Sequence, residues 1–301
     1  MHPRLLVTGA GGWVGRVALS TIPAEDRLLI ARTPRLMDVG GTEWSLQGLD
    51  ALASFDDVQP TLVVHAGFPT QDKVDEMGLA AYQQDTDLLR RDMSDALTRL
   101  SPVDVIYLSS GAATTVSEER DAPPRTVAYG MAKLDDERAF TELIRAQGGR
   151  LCIVRAFALS GPYMTKPESY ALGNMIFQAA RTGSVEVKAE RPVRRSYMAI
   201  EDMLRIAVNS VEGLGAGEVV TFETAGEVVE MGDLAARVLH VMGLDPAAVI
   251  RPVFDPAAPA DDYLGDAVAV RRLAAAAGVV PASLDEQIRV TAAWLRAEYH
   301  L

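Results

Sequence analysis

The chain alternates between short apolar runs and longer stretches in which apolar residues recur at helical spacing. The apolar runs contain β-branched residues and are typical of buried strands. Because helical stretches separate them, the pattern predicts an α/β fold with a parallel, doubly wound sheet. The strand-like runs cover Arg4 to Thr8, Arg27 to Ala31, Thr61 to His65, Val103 to Ser109 and Arg150 to Phe157.

The first run leads directly into a glycine-rich turn, Gly9-Ala-Gly-Gly-Trp-Val-Gly15, and then into helical spacing from Val17. Glycine is required where such a turn is tight and where backbone approaches a pyrophosphate, and the following helix offers free N–H groups to the anion. This context predicts a dinucleotide site. Its candidate residues are Thr8, Gly9, Gly11, Gly12, Trp13, Val14 and Gly15.

Tyr129 and Lys133 are four residues apart in a second helical stretch. On a helix they share one face, so the lysine charge favours the phenolate and lowers the tyrosine pKa from its usual value near ~10. A tyrosine of this kind transfers protons at neutral pH. Together with the glycine turn, the pair suggests hydride chemistry.

These motifs resemble those of the extended short-chain dehydrogenases/reductases, in the group of nucleotide-sugar epimerases, dehydratases and reductases. The resemblance extends over nearly the whole chain. Its segments are Thr8 to Gly15, Val63 to Gly67, Ser109 to Gly111, Tyr129 with Lys133, Arg155 to Pro162, Arg194 to Asp202, Tyr263 to Asp266, Ser283 to Glu286 and Thr291 to Trp294.

The resemblance implies a role for each catalytic candidate. Ser110 would hydrogen-bond the substrate oxygen, Tyr129 would exchange its proton, and Lys133 would bind the nicotinamide ribose while lowering the tyrosine pKa. Ser109 is the competing assignment for the serine, although the family pattern favours Ser110. The strand-end segment containing Ala66 and Gly67 would line the dinucleotide, as further cofactor-binding residues.

The choice of cofactor depends on the end of the second strand, where an acid usually holds the ribose of NAD and an arginine a 2′-phosphate. The segment Leu28 to Arg35 has no acid at that position, so NADP(H) is favoured and NAD(H) is the alternative. Arg32 would be the main phosphate partner, assisted by Thr33 or Arg35. Alternatively, both arginines are solvated loop charges. The aspartate that the family places near the adenine is missing, since Glu43 to Leu46 occupies that neighbourhood.

Departures from the family pattern limit which type of reaction is expected. Dehydratases follow the catalytic hydroxyl with an acid pair, whereas Gly111 and Ala112 stand there in this chain. The arginines therefore favour an NADPH-dependent ketoreductase acting on a nucleotide-linked 6-deoxysugar, with a nucleotide-sugar epimerase as a close second. A non-catalytic redox sensor is a further alternative, disfavoured because the Ser, Tyr and Lys are all present.

Arg195 is the candidate for the substrate phosphate, with Asn174 as a hydrogen-bonding amide. Arg195 is equally well read as a structural ion-pair partner of Glu201 or Asp202. Ala158 and Ser160 replace the asparagine and tyrosine that the family often has, which leaves room for a non-sugar carbonyl substrate. Specificity is expected from a variable lid over Pro162 to Ala189 and Thr224 to Pro259.

Composition adds limits to this picture. The net charge of −12 argues against nucleic acid as a partner, and no apolar run or leader suggests a membrane or secretion, which favours a cytoplasmic protein. The single cysteine, Cys152, lies in an apolar run and is expected to be a buried strand residue. Four scattered histidines imply no metal site, and His65 is expected to be satisfied within its strand end. They are His2, His65, His240 and His300.

The resemblance also implies the domain organisation. A Rossmann-type dinucleotide-binding domain is expected over residues 1–160 with a segment returning near 191–222, and a smaller, partly interleaved substrate-binding domain over 161–190 and 223–301. The helical stretches near Gly78 to Leu100 and Val127 to Ala146 would form the contact of a homodimer. Alternatively, their apolar faces only cover the sheet.

Overall fold

The computed structural model describes residues 4–53, 60–251 and 253–301. By its internal contacts the chain divides into two compact units, of which unit 1 is Met1–Ala156 with Leu204–Glu223 and unit 2 is Phe157–Met203 with Thr224–Leu301. The described strands are β1 (Arg4–Thr8), β2 (Asp26–Ile30), β3 (Arg35–Val39), β4 (Thr42–Leu46), β5 (Leu62–His65), β6 (Asp104–Ser110), β7 (Arg150–Ala156), β8 (Ala158–Ser160), β9 (Val185–Glu186), β10 (Val193–Ala199), β11 (Val219–Glu223), β12 (Val228–Glu230), β13 (Val249–Ile250) and β14 (Asp261–Tyr263). The described α-helices are α1 (Trp13–Thr21), α2 (Asp72–Met77), α3 (Leu79–Leu100), α4 (Gly111–Ser117), α5 (Pro124–Gln147), α6 (Ala171–Thr182), α7 (Ile200–Glu212), α8 (Met231–Val241), α9 (Ala267–Ala276) and α10 (Leu284–Tyr299).

Unit 1 is built on a six-stranded sheet in the order β11-β7-β6-β5-β1-β2, and every recorded strand pair in it is parallel. The chain runs outward from β1 to β2 and then returns to place β5 on the other side of β1. In such sheets ligands bind at the carboxyl ends of the strands where the order reverses. The predicted α/β fold with a doubly wound parallel sheet is confirmed.

Apolar side chains on these strands form the core of unit 1 with helices α3 and α5. The core includes Leu6, Val63, Val105 and Ile153 from the strands, and Met93, Leu97, Phe140 and Ile144 from the helices. Cys152 is fully buried in β7, as predicted, and burial raises its thiol pKa. The predicted strand bounds hold to within one or two residues.

Helices α3 and α5 correspond closely to the two predicted helical stretches. Helix α5 has Pro124 in its first turn, where a missing N–H removes no hydrogen bond, and ends at Gln147 with Gly148 as its C-cap, whose φ is 71°. Four large apolar side chains of these helices remain exposed, namely Leu79, Leu88, Val127 and Met131. Their exposure is compatible with the predicted homodimer contact, which stays a prediction.

The segment after β2 forms a β-hairpin that the sequence analysis did not anticipate. Strands β3 and β4 pair in an antiparallel register, with Val39 opposite Thr42. The two residues between them, Gly40 and Gly41, both have positive φ, at 63° and 80°. This is the backbone of a two-residue turn that glycine favours. The hairpin places Arg35 at its first position.

Unit 2 has a smaller sheet in the order β12-β10-β14, and β8 pairs with β10. Because β10 (Val193–Ala199) belongs to this sheet, the segment that returns to unit 1 begins at Leu204 rather than near residue 191. The two predicted lid segments meet where β9 pairs with β13 in parallel. The core of unit 2 includes Leu172, Ile176, Leu234, Val238, Ile288 and Leu295. That unit 2 binds the substrate stays a prediction.

Among the helices in the described part of the chain, none is both long enough and apolar enough to cross a membrane.

Candidate active site

The glycine-rich turn lies at the reversal point of the sheet, against the end of β5. A Cβ atom added at Gly9 would lie 2.5 Å from the backbone nitrogen of Gly67, so the two loop backbones touch. A Cβ at Gly15 would lie 2.3 Å from the carbonyl oxygen of Gly9. Both positions therefore require glycine, for close packing of turn, helix and neighbouring strand. Helix α1 begins immediately after the turn, with Gly12 as its N-cap.

A cavity of about 390 Å³ opens beside this turn. One end is formed by Thr8, Gly9, Gly12, Ala66 and Gly67, which are predicted cofactor residues. Its apolar walls come from residues that the sequence analysis did not single out. These are Leu49, Leu52, Phe68, Pro69, Met77, Leu89 and Met93.

The remaining predicted residues of the turn are part of α1 or precede it. Trp13 is buried and Val14 half-buried, both in the first turn of the helix. Gly11 accepts a hydrogen bond at its carbonyl oxygen from Nε of Arg16, at 3.2 Å. Of the predicted turn, Thr8, Gly9 and Gly12 line the cavity, and the other residues adjoin them along the chain.

Two arginines lie near the end of β2. Arg32 lines the cavity, and its Nη2 lies 2.8 Å from Oδ2 of Asp85. Arg35 reaches the turn, since a Cβ added at Gly11 would lie 2.1 Å from its Nη2. Thr33 is exposed between them. The interpretation of Arg32 as a purely solvated charge is incomplete, because it has an ion-pair partner on α3.

His65, at the end of β5, is buried within the sheet edge. Its Nδ1 lies 2.5 Å from Oγ1 of Thr8, and its ring stacks on that of Tyr107 with centroids 5.5 Å apart. Burial, together with the nearby charge of Lys133, lowers the pKa of His65 to about 3. The low pKa makes the ring neutral at physiological pH and a weak proton acceptor, which argues against a catalytic base. The ring is hydrogen-bonded only at Nδ1, because the buried Nε2 has no partner among the described residues.

The depressed pKa of His65 predicts a pH-dependent loss of stability. In the unfolded chain the ring takes up a proton near pH ~6.5, whereas the folded protein resists it down to about pH 3. The contribution is complete above pH ~6.5, and between these limits it is lost by about 1.4 kcal/mol per pH unit. Denaturant unfolding at a series of pH values should show this slope. In His65→Asn the slope attributable to the histidine should disappear, and its persistence would contradict the assignment.

Tyr129 and Lys133 lie together on α5, as their spacing predicts. The Lys133 Nζ is 5.9 Å from the centroid of the Tyr129 ring and 3.7 Å from that of Phe68. It donates a hydrogen bond to the carbonyl oxygen of Leu108 at 2.7 Å, and the lysine is only 2% exposed. Burial lowers the pKa of Lys133, while Asp136 and Glu137 oppose that shift.

Ser110 is the last residue of β6 and the N-cap of α4. Its Oγ accepts a hydrogen bond from the backbone nitrogen of Ala112 at 3.2 Å, which leaves the hydroxyl proton available. Helices α4 and α5 approach closely here, since a Cβ at Gly130 would lie 2.4 Å from the carbonyl oxygen of Ala112. That approach brings the end of β6 next to the turn of α5 that contains Tyr129.

Ser109, the competing serine, is engaged elsewhere. Its Oγ donates to Oε1 of Glu137 at 2.5 Å, and the same carboxylate receives two hydrogen bonds from Arg155, at 3.0 and 2.8 Å. The hydroxyl is thus satisfied by a side chain. This arrangement favours Ser110 for the substrate oxygen.

Two of the predicted substrate residues, Arg195 and Asn174, lie in unit 2. Nη1 of Arg195 lies 3.4 Å from Oδ1 of Asp261 and donates to the carbonyl oxygens of Arg194 and Asp261. Its recorded ion pair is with Asp261. Register explains this, because β14 pairs alongside β10. The side-chain nitrogen of Asn174 donates a hydrogen bond to the carbonyl oxygen of Glu168, which precedes α6. Its side-chain oxygen accepts one from Nε2 of Gln178 within α6.

Within the described residues, no group of three or more His, Cys, Asp or Glu side chains is arranged to hold a metal ion. His2 lies outside the described residues.

Comparison with known proteins identifies the fold and the family. The structure is similar to UDP-glucose 4-epimerase from Thermotoga maritima solved with UDP-glucose, at 18% identity and a TM-score of 0.76, covering 98% of this chain and 99% of that one. It is also similar to UDP-N-acetylglucosamine 4-epimerase from Methanobrevibacter ruminantium M1 solved with UDP-N-acetylmuramic acid, at 15% identity, TM-score 0.75 and 99% coverage of both chains. A third similar structure is a double mutant of dTDP-glucose 4,6-dehydratase from Streptomyces venezuelae with NAD bound, at 17% identity and TM-score 0.71, covering 99% of this chain and 98% of that one.

No curated protein matches the chain significantly in sequence. The sequence model of the family described as "NAD dependent epimerase/dehydratase family", however, matches residues 5–220, well over half of the chain. The resemblance seen in the separated motifs is thereby confirmed. The chain belongs to the NAD dependent epimerase/dehydratase family, a family of enzymes with the extended short-chain dehydrogenase/reductase fold.

Proposed function

We propose that this enzyme reduces a keto group on a nucleotide-linked sugar with NADPH, using Ser110, Tyr129 and Lys133. The observation that carries the proposal is the buried amino group of Lys133 beside Tyr129, in the same compact unit as the cavity at the glycine turn. A lysine side chain is almost never fully buried unless its charge is paired. Here that charge favours the phenolate of Tyr129.

The residues of the cavity fit a dinucleotide. The contact of Gly9 with Gly67 leaves no room for side chains where a pyrophosphate would approach backbone, and the N-terminus of α1 adds free N–H groups. The apolar walls suit a planar base. Thr8, Gly9, Gly12, Ala66 and Gly67 would hold the cofactor.

The chain's own side chains would handle the proton. A reduced nicotinamide bound in this unit would supply a hydride to the carbonyl carbon. Ser110 would donate its hydroxyl proton in a hydrogen bond to the carbonyl oxygen, because its recorded hydrogen bond from Ala112 uses only an acceptor lone pair and leaves the O–H available. Tyr129 would donate a proton to that oxygen, and Lys133 would stabilise the phenolate that remains.

The preference for NADP(H) over NAD(H) is argued from two guanidinium groups. Arg35 reaches Gly11 from the hairpin, and Arg32 stands at the cavity. The ion pair of Arg32 with Asp85 is largely exposed, so its net stabilisation is at most about 1 kcal/mol and a 2′-phosphate can compete for the arginine.

Removing either arginine should weaken NADPH and leave NADH nearly unchanged. A hydrogen bond to a charged group contributes about 1.5–3 kcal/mol, so Arg32→Ala and Arg35→Ala should each raise the Kd of NADPH by roughly 10-fold or more. Fluorescence titration of both nucleotides gives the ratio. Asp85→Ala is the matched control, because it frees Arg32 and should leave NADPH binding as tight or tighter. Equal losses for NADPH and NADH would contradict the assignment.

An epimerase is the second candidate, and the family name and the solved 4-epimerases support it. The same Ser, Tyr and Lys would serve it, with a cofactor that is recycled. A dehydratase is disfavoured, because Gly111 and Ala112 at the start of α4 provide neither an acid nor a base.

The deciding experiment incubates the purified protein with NADPH and a panel of nucleotide-linked 4-keto-6-deoxysugars while nicotinamide absorbance is followed. Consumption of NADPH with one sugar is the expected result. Tight binding without net consumption, together with a change of product stereochemistry, would replace the reductase by the epimerase. Failure to bind either nucleotide would contradict both.

A further inference from the structure

The carboxylate of Asp136 lies one helical turn beyond Lys133 on α5, and it is completely buried. Asp136 is 0% exposed, although a buried carboxylate is stable only when it is paired and hydrogen-bonded. Its Oδ2 accepts a hydrogen bond from the hydroxyl of Tyr107 at 2.9 Å, and its Oδ1 lies 3.5 Å from Nη1 of Arg90. Arg90 in turn pairs with Asp87 on the surface of α3.

Tyr107 connects Asp136 with the lysine. Its hydroxyl contacts the carboxylate, and the Lys133 Nζ lies 4.9 Å from the centroid of its ring. The two charged side chains are three residues apart on one helix, so they are neighbours on its surface. The negative charge of Asp136 therefore lies close to the positive charge of Lys133 in an apolar setting, where electrostatic interactions are strong.

The other charged groups around Lys133 are already engaged. Glu137 is held by two hydrogen bonds from Arg155 and one from Ser109. His65 is neutral, since burial lowers its pKa to about 3. Burial raises the pKa of Tyr107 and of Tyr82, so neither is charged near neutral pH. Arg90 pairs with both Asp87 and Asp136. These two negative charges together balance the two positive charges of Arg90 and Lys133.

We propose that Asp136 is a positioning residue that acts through Lys133, supplying the buried negative charge that keeps the lysine protonated beside Tyr129. Tyr107 fixes the carboxylate by its hydrogen bond. This inference rests on the proposed function, and it assigns to that site a supporting charge beyond its Ser, Tyr and Lys. Burial raises the pKa of Asp136 and lowers that of Lys133, and each charge opposes the shift of the other.

The test measures the ionisation of Tyr129 in the protein without added ligands. Tyrosinate absorbance is recorded against pH, and the curve of Tyr129→Phe is subtracted in each background. The buried tyrosines interfere little, since burial raises the pKa of Tyr197 to about 12 and raises those of Tyr82 and Tyr107. Asp136→Asn keeps an oxygen to accept from Tyr107 and removes only the charge.

The expected result is a rise of the Tyr129 midpoint by roughly one pH unit in Asp136→Asn, because a lysine that loses its counter-charge supports the phenolate less. If Asp136 acted mainly by direct repulsion of the Tyr129 phenolate, the midpoint would instead fall in Asp136→Asn. In a Lys133→Met background the rise should vanish. Asp135→Asn, which removes an exposed carboxylate paired with Arg138 on the same helix, should leave the midpoint unchanged.

An unchanged or lowered midpoint in folded Asp136→Asn would overturn the inference. If that variant does not fold, Tyr107→Phe removes the hydroxyl that fixes the carboxylate, and a smaller rise is expected; no rise would again overturn it. A wild-type midpoint near the ordinary ~10 would contradict the proposed roles of Tyr129 and Lys133 themselves. A depressed wild-type midpoint that ignores Asp136 would contradict only the present inference.

Discussion

Replacing Tyr129 with phenylalanine is expected to reduce turnover by about 10²–10⁴-fold while NADPH still binds, because general acid catalysis contributes factors of that size. Phenylalanine keeps the ring that contacts Phe68 and removes only the hydroxyl. The loss should fall on kcat with little change in nucleotide affinity, since the proton transfer takes place in the transition state. Turnover and fluorescence titration measure the two quantities.

Two further variants make that result specific. Tyr299→Phe removes one phenol hydroxyl from an exposed side chain of α10 and should leave both quantities unchanged. Lys133→Met should reduce turnover as well, and it should also affect nucleotide binding if the lysine holds the nicotinamide ribose. A Tyr129→Phe protein that turns over at the wild-type rate while binding NADPH would show that another group transfers the proton.

Features that depend on neighbours in sequence were predictable. The strand before Gly9 and the helix after it follow from local pattern, and so does the common face of Tyr129 and Lys133. Spacing within one element fixes which side chains share a face, whatever the rest of the chain does. This is why the doubly wound sheet and the turn could be predicted together.

The hairpin from Arg35 to Leu46 was missed although it has a local signal. Gly40 and Gly41 stand between two short alternating runs, which is a pattern typical of a two-residue β-turn. The contact of Arg35 with Gly11 depends on this hairpin.

Contacts between elements distant in sequence were not predictable. The partner of Arg32 is 53 residues away on α3, and that of Arg195 is 66 residues away on β14. The apolar walls of the cavity likewise come from separate segments, which include the loop after β5 and helices α2 and α3. The sequence places Asp136 one helical turn from Lys133. Its burial against Tyr107 and Arg90, however, depends on the packing of β6, α3 and α5.

Substituting alanine for Gly9 should have a large effect on stability and should abolish nucleotide binding. The residue has a φ of 68°, and an added Cβ would lie 2.5 to 2.7 Å from three backbone atoms of Ala66 and Gly67. Left-handed backbone costs about 1–2 kcal/mol for alanine, and a clash with backbone that cannot move adds about 1–3 kcal/mol. The free energy of unfolding should therefore fall by roughly 2–5 kcal/mol, as measured by denaturant titration.

Two matched glycines separate the two costs. Gly41 has a φ of 80° with no heavy atom within 4 Å of an added Cβ, so Gly41→Ala should show only the backbone cost of about 1–2 kcal/mol and unchanged nucleotide binding. Gly15 lies in α1, and its added Cβ would meet the Gly9 carbonyl oxygen at 2.3 Å, so Gly15→Ala should show mainly the clash. If Gly9→Ala were no more harmful than Gly41→Ala, the turn would have room to shift away from β5. The close contact with Gly67 would then not be what shapes the dinucleotide site.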